Sequence, residues 1–284
     1  MEHFYVITNP TRDSQQKTAG FIRKYLEGRG KTCFVDAGTP KTGGEGYTYQ
    51  IQAGGQADCI LVLGGDGTLL QAAIDLAARD IPFLGINMGT LGFLTEVNQS
   101  GIEDALENLI QGKYQIEKRM MLCGKSYHSE GIMDQARALN DIVITRKGSL
   151  EIINFNIYVN GQFLHRYHAD GVIASTPTGS TGYNLSAGGP IVEPKAEVIL
   201  LTPICPHSMH NRSIVLSPRD KVTVEIERHR DGRELAVEAI FDGCHKVTLR
   251  TGDRIEVKKS EKTTEIVKLS QVSFLEALHR KLSD

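Results

Sequence analysis

No stretch of this chain is crowded with charge of one sign. The formal net charge is −2, and Lys and Arg are scattered rather than gathered into a stripe or an arm. Nucleic acid and anionic membrane are therefore not expected as partners, since both are recognised through clustered basic groups. No apolar run approaches the length of a bilayer span. The residues Met1 to Ile7 lack the basic-then-apolar layout of a secretory signal. Cysteine is sparse. Cys33, Cys59, Cys123, Cys205 and Cys244 stand far apart, odd in number and without a CxxC pair. Neither a disulfide framework nor a protein-built metal centre is expected, and reduced thiols fit a cytoplasmic location.

The common nucleotide signatures are missing too. There is no GxGxxG and no protein-kinase catalytic set. Gly124-Lys125-Ser126 has the tail of a P-loop, but Arg119 stands where the first glycine is required.

What is present is a globular composition: 284 residues, 40% apolar and 23% charged, enough for one large domain or two ordinary ones. Residues 1–110 alternate strand and helix signals. Phe4 to Ile7, Thr32 to Val35, Cys59 to Leu63 and Pro82 to Ile86 read as strands. Ser14 to Glu27 and Leu69 to Ala78 read as helices, the first with Phe21, Ile22, Tyr25 and Leu26 on one side and a stop at Gly28 to Gly30. Gly38 to Gly46 reads as a mobile loop. This alternation predicts a Rossmann-like layered α/β sheet.

Beyond Lys118 the rhythm changes to strands: Asp141 to Thr145, Ile152 to Val159, Val172 to Ser175, Val198 to Leu201, Val222 to Ile226, Leu235 to Phe241 and Arg254 to Lys258. Asn160-Gly161, Asp231-Gly232 and Asp242-Gly243 are turn signals between them, so a mostly antiparallel all-β sandwich or barrel-like domain is expected. The tail, Val272 to Leu282, is amphipathic and helical, with Phe274, Leu275, Leu278 and Leu282 aligned. The expected domains are 1–118, 119–265 and a returning tail at 266–284.

Gly64-Gly65-Asp66-Gly67-Thr68, between a buried strand and a helix starting near Thr68, is the sharpest feature. Its glycines permit positive φ and close backbone approach, and a helix N-terminus is a seat for phosphate. A carboxylate at Asp66 should repel phosphate, unless it takes a proton from an attacking hydroxyl or helps hold a metal ion. The plainer alternative is a tight turn with Asp66 as a solvated cap.

The second feature is the run from Asp170 to Pro190, dense in hydroxyls and glycines, with Tyr183 as a ring for a flat base. Its plainer alternative is a loop whose hydroxyls satisfy their own backbone. Asn140-Asp141, before the strand Ile142-Val143-Ile144, could grip ribose hydroxyls or simply form a turn. His207 reads first as a structural loop histidine, and His168 has a better claim by its proximity to Asp170.

These residues, together with Gly85-Ile86-Asn87-Met88-Gly89-Thr90-Leu91-Gly92-Phe93-Leu94, resemble the NAD kinase family. That family belongs to a wider group sharing the GGDGT turn with 6-phosphofructokinases and diacylglycerol kinases. The resemblance implies an α/β domain and a β-sandwich with NAD bound between them, often across a subunit interface in a homodimer or homotetramer. It implies a tail returning to the N-terminal domain, with ATP (or another nucleoside triphosphate or polyphosphate) as donor and Mg²⁺ or another divalent cation as helper. In the family's terms Asp66 is the catalytic base and Gly67 adjoins NAD. Asn140 and Asp141 hold ribose hydroxyls, and Asp170, Thr181, Tyr183 and Ser186 line the dinucleotide site. His168, Thr178, Gly182, Asn184 and Leu185 stand near the ligand. Three positions depart from the pattern: Asp141 where Glu is frequent, Gly182 where Ala is frequent, and Cys244 where Gln is frequent. Another GGDGT kinase and a non-catalytic dinucleotide sensor are the rival readings.

Overall fold

The structure, a computed structural model, describes residues 1–13, 15–41, 47–51, 56–89, 92–128, 131–148, 151–207, 212–228, 236–270 and 272–283. Two compact units emerge: Met1–Arg119 with Thr263–Asp284, and Met120–Lys262. The chain passes between them within the strands Gln115–His128 and Arg254–Lys268.

In the first unit the continuous apolar runs become parallel strands covered on both faces. Cys59–Gly64 is buried at every position and runs parallel to His3–Thr8 on one side and Phe83–Asn87 on the other. Thr32–Asp36 extends the sheet beyond His3–Thr8, and Thr95–Asn98 lies parallel beside Phe83–Asn87. On one face Phe4, Val6, Leu61, Leu63, Leu84 and Ile86 pack with Ala19, Ile22 and Leu26 of the helix Lys17–Glu27. Leu106 and Leu109 of the helix Ile102–Ile110 join the same core. Gly85 points to the other face, where a Cβ would meet Leu69 at 2.9 Å. The helix Asp66–Asp75 therefore covers that face.

Several expectations shift here. Phe21 is 42% exposed, because the buried stripe of its helix runs through Ala19, Ile22 and Leu26 instead. The helix starts at Lys17, and Ser14 lies outside the described residues. Thr39–Pro40 in the expected loop pairs with Tyr47–Thr48, while 42–46 lie outside the described residues. Ile102–Ile110 has no counterpart among the expected elements, although Ile102, Ala105, Leu106 and Leu109 are buried at helical spacing.

The second unit is an antiparallel sandwich. One sheet runs Ile214–Leu216, Ile199–Ile204, Gly171–Ser175, Asp141–Arg146, Val237–Phe241, His245–Leu249. The other contains Gln162–Ala169, Ile153–Val159, Val222–Ile226 and the start of Arg254–Lys268. Strand alternation sends Ile142, Ile144, Val172, Ala174 and Phe241 from one sheet into a core with Phe155, Ile157, Val224 and Ile255 from the other. Asn160-Gly161 and Asp242-Gly243 are hairpin turns with positive φ at both residues, as expected of type I′ chemistry. Asp231-Gly232 and Leu235 lie outside the described residues. Gln115–His128, Gly131–Ala138, Gln162–Ala169 and His245–Leu249 are additional strands. Gly131–Ala138 is mostly exposed and lacks the apolar alternation that marks a strand.

The fold is thus an α/β domain plus an all-β sandwich. After Lys268 the chain packs within the first unit: Glu96 accepts from Leu269 N (3.2 Å), Ser270 N (2.9 Å) and Ser270 Oγ (2.6 Å), and pairs with Lys268. The helix Phe274–Leu282 is capped by Ser273 and lays Lys281 over the Phe93 ring, 4.5 Å from its centre. Phe274 and Leu278 are half-buried, Leu275 is 72% exposed, and the Leu282 side chain lies outside the described residues. No described helix is long and apolar enough to cross a membrane.

Candidate active site

The GGDGT turn forms because the strand Cys59–Gly64 ends directly into a helix. The helix begins at Asp66, earlier than expected, with Gly65 as an extended N-cap at φ −114° and no side-chain cap. None of Gly64, Gly65 and Gly67 has positive φ. The expected positive φ is therefore corrected, and of the three Gly64 alone needs the missing side chain for room within the chain. A Cβ on Gly64 would stand 2.3 Å from Thr68 Oγ1, whereas Cβ atoms on Gly65 and Gly67 would meet nothing within 4 Å. Thr68 is buried and its Oγ1 accepts from Asn9 Nδ2 at 3.3 Å. The first N–H groups of a helix have no intrahelical acceptor, so this open rim is suited to an anion.

Asp66 is half-buried and far from a free cap. Its Oδ2 accepts from Phe93 N at 2.7 Å, and Oδ1 accepts from Leu94 N (3.2 Å), Thr95 N (3.3 Å) and Thr95 Oγ1 (3.4 Å). One carboxylate thus gathers the backbone of Gly92–Thr95 onto the turn. A Cβ on Gly92 would lie 1.8 Å from Asp66 Oδ1. Thr90 and Leu91 of the same motif lie outside the described residues.

In the second unit Asn140 leads into the strand Asp141–Arg146. Asp242, read from sequence only as a turn residue, is the organiser here. Its carboxylate accepts from Leu139 N (2.6 Å), Asn140 N (2.8 Å) and Asp141 N (2.9 Å). Burial pushes the Asp141 carboxyl up to about 7, with the charge of Asp242 adding to the effect. Burial likewise raises Asp242 to about 6, against the pull of the three N–H groups. Asn140 Oδ1 is buried without a partner among the described residues.

The Asp170 to Pro190 run divides between the two expected roles. Ser175 Oγ donates to Asn140 O (3.2 Å), Thr176 Oγ1 to Leu139 O (2.6 Å) and Ser180 Oγ to Val192 O (3.1 Å), so these hydroxyls satisfy the chain itself. Asn184 is fully buried. Its amide donates to Ser180 O (3.3 Å) and Pro190 O (3.2 Å) and accepts from Thr202 Oγ1 (2.7 Å). Its side chain knits the loop together.

Tyr183, Leu185 and Ser186, by contrast, are exposed, and Thr181 and Gly182 are half-exposed. The single turn Thr178–Thr181, with Thr178 buried, packs against Asn140: a Cβ on Gly179 would lie 2.2 Å from Asn140 O. A Cβ on Gly182 would stand 3.6 Å from Asn140 Nδ2 and 4.0 Å from Asp141 Oδ2. Asn140, Asp141, Thr178, Thr181 and Gly182 are one cluster.

Asp170 and His168 are not part of it. Asp141 pairs with Ser175, at one end of Gly171–Ser175, while Asp170 precedes the other end. Five residues of extended chain separate those ends by about 17 Å. Asp170 instead accepts from Arg146 Nε at 3.0 Å, and His168 bonds Asn154 through its ring and His207 N (2.8 Å) through its carbonyl. His207 is held there by its backbone, and Cys244 follows the Asp242-Gly243 turn, its N–H donating to Phe241 O at 2.8 Å. Sequence reasoning missed Asp242, Arg146 and the Asp66–Phe93 link, since each acts on partners distant in the chain. Among the described residues no three His, Cys, Asp or Glu converge as a metal site.

Comparison with known proteins covers both halves of the chain. Residues 6–114 match the ATP-NAD kinase N-terminal domain, and residues 139–269 match the ATP-NAD kinase C-terminal domain. The NAD kinase of Lachnospira eligens is 43% identical over 99% of this chain and 100% of its own. That of Lachnoclostridium phytofermentans is 42% identical over the whole of both chains. Among solved structures, yeast NADH kinase complexed with NADH superposes with a TM-score of 0.85 at 26% identity, over 100% of this chain and 88% of that one. An NAD kinase from Archaeoglobus fulgidus in complex with ATP gives 0.79 at 26% identity, over 99% of both. With both domain descriptions matched in order and full-length relatives above 40% identity, the chain belongs to the NAD kinase family.

Proposed function

We propose that Asp66 takes the proton when the 2′-hydroxyl of NAD's adenosine ribose attacks the γ-phosphorus of the donor, giving NADP. The observation that carries this is a half-buried carboxylate at the first position of a helix whose rim, at Gly65 and Gly67, is open. Oδ1 is occupied by the Gly92–Thr95 segment, but among the described residues Oδ2 accepts one N–H and keeps a lone-pair position for a hydroxyl. Phosphoryl transfer depends mainly on positioning and electrostatics, and the helix-start N–H groups supply both to the transferred group.

In this reading Asn140 and Asp141 hold ribose hydroxyls, with Gly182 beside them. Thr181, Tyr183, Leu185 and Ser186 present the outward face for the rest of the dinucleotide, and Thr178 supports it. Gly67 borders NAD. Asp170 and His168 serve a ligand end about 17 Å away or a second copy's ligand, which favours a homodimer or homotetramer. ATP is the donor, or another nucleoside triphosphate or polyphosphate. Mg²⁺ supplies charge neutralisation when bound. Among the described residues no three His, Cys, Asp or Glu converge on it, and phosphate oxygens and water would hold it. We further infer a cytoplasmic enzyme, and a wider kinship with 6-phosphofructokinases and diacylglycerol kinases through the GGDGT turn.

The test is to incubate the purified protein with NAD, Mg²⁺ and each donor and to assay NADP. Asp66→Asn is expected to lower turnover by about 10²–10⁴-fold while NAD still binds. Near-normal turnover would remove Asp66 from the role, and no NADP with any donor would sink the reading.

A further inference from the structure

Asn87 ends the strand Phe83–Asn87 and is 3% exposed. Its Oδ1 accepts from Gly89 N at 2.7 Å, which sets the amide orientation and leaves Nδ2 as the spare donor. That Nδ2 is buried and has no hydrogen-bond partner among the described residues. A buried donor left unpaired costs about 1–3 kcal/mol, so its retention calls for an acceptor from outside the chain.

Its direction follows from the sheet. Asn87 stands opposite Gly64 in the parallel ladder, and residues paired in this way project to the same face. Gly64's face is the one carrying Thr68, which a Cβ there would strike at 2.3 Å. The Asn87 amide is thus aimed at the first turn of the helix Asp66–Asp75, next to the open positions Gly65 and Gly67. A cation stands close by: Arg12 Nη1 is 3.6 Å, and Asn87 Oδ1 4.0 Å, from the point where a Gly89 Cβ would be. Among the described residues Arg12 pairs with no carboxylate. An amide donor, helix-start N–H groups and a guanidinium form a set for an oxyanion with several acceptor oxygens.

We propose that Asn87 is a phosphate-binding residue, its Nδ2 donating to a non-bridging oxygen of the donor's polyphosphate at the head of Asp66–Asp75, with Arg12 alongside. This rests on the reading that the GGDGT turn receives the donor rather than NAD's own phosphates.

Asn87→Asp is the sharpest probe, because it keeps the shape and the bond from Gly89 while replacing the donor with a carboxylate oxygen. Loss of a hydrogen bond to a charged group corresponds to about 10–100-fold. The KM for ATP should rise by that factor, with the KM for NAD within twofold. Affinity for inorganic tripolyphosphate with Mg²⁺, measured calorimetrically without NAD, should fall in parallel. Unchanged ATP and tripolyphosphate constants in a folded variant overturn the proposal and assign Nδ2 to a bound water. An equal rise in both KM values also overturns it. If the buried carboxylate prevents folding, Asn87→Leu carries the same comparison. The two readings fail separately. A wild-type protein that binds tripolyphosphate through Asn87 but makes no NADP removes the kinase reading alone. One that makes NADP with Asn87-independent ATP binding removes this proposal alone. A wild type that binds no tripolyphosphate also removes it.

Discussion

A Cβ on Gly92 would overlap Asp66 Oδ1, 1.8 Å away, whereas a Cβ on Gly182 meets Gly179 O at 3.3 Å and otherwise sits in ordinary contact. Neither glycine has positive φ, so the difference between them is one of room. Gly92→Ala is expected to lower both melting temperature and turnover, because the Asp66 carboxylate must give up the Phe93 and Leu94 N–H groups. Gly182→Ala is expected to leave the melting temperature and the KM for NAD nearly unchanged. Parallel thermal melts and kinetics check both, and a well-tolerated Gly92→Ala would refute the geometry at Asp66.

Asp141 adds a pH effect at the same scale. Its folded value, about 7, lies above the ordinary carboxyl value, so the fold holds the proton more tightly than the unfolded chain does. The stability from this is complete below about pH 4 and is lost as pH rises through 7. Asp141→Asn removes that dependence. Its advantage over the wild type should grow between pH 5 and pH 8 by on the order of 2–4 kcal/mol. Denaturant titrations at the two pH values measure it, and a constant difference would count against the burial of the charge.

Among elements, the tail and the Gly92–Thr95 segment depend on one another. Glu96 follows the residues that bind Asp66, and its carboxylate takes Lys268 and the Leu269–Ser270 backbone. Burial pushes Glu96 up, but its bonds from Lys268 and Ser270 together hold it below the usual carboxylate value. Glu96→Ala strips the acceptor from a partly exposed Lys268 and from the Leu269–Ser270 backbone, and should cost about 1–3 kcal/mol. Hydrogen exchange should show Leu269 and Ser270 losing protection first; intact protection there would disprove the clamp. From sequence the tail was legible only as an amphipathic helix in need of a surface. Glu96 and Lys268 stand far apart in the chain and carry no local pattern. Strands were legible where apolar residues were continuous, as in Cys59–Gly64, or alternated, as in Val222–Ile226. Gly131–Ala138 shows neither pattern, because an exposed strand is specified by its backbone pairing with Gln115–His128.

For the whole molecule, the near-zero net charge and scattered basic residues argue against electrostatic capture by polyanions. The protein should elute from heparin near physiological salt and show no retardation of duplex DNA; tight heparin binding would contradict the charge pattern.

Fold class and the family were determined by the sequence itself, because periodicity and short motifs are properties of neighbouring residues. Only the tertiary structure decided what individual polar groups do. Asn184, equally eligible by position, is bonded inside the loop, while Thr181 and Tyr183 face outward. Asp242 became the support of Asn140 and Asp141 from a hundred residues away. None of the three turn glycines has positive φ, and Gly64 is the one that steric room requires. Hydrogen bonding and steric exclusion act over a few ångströms of space, and distance along the chain does not report them.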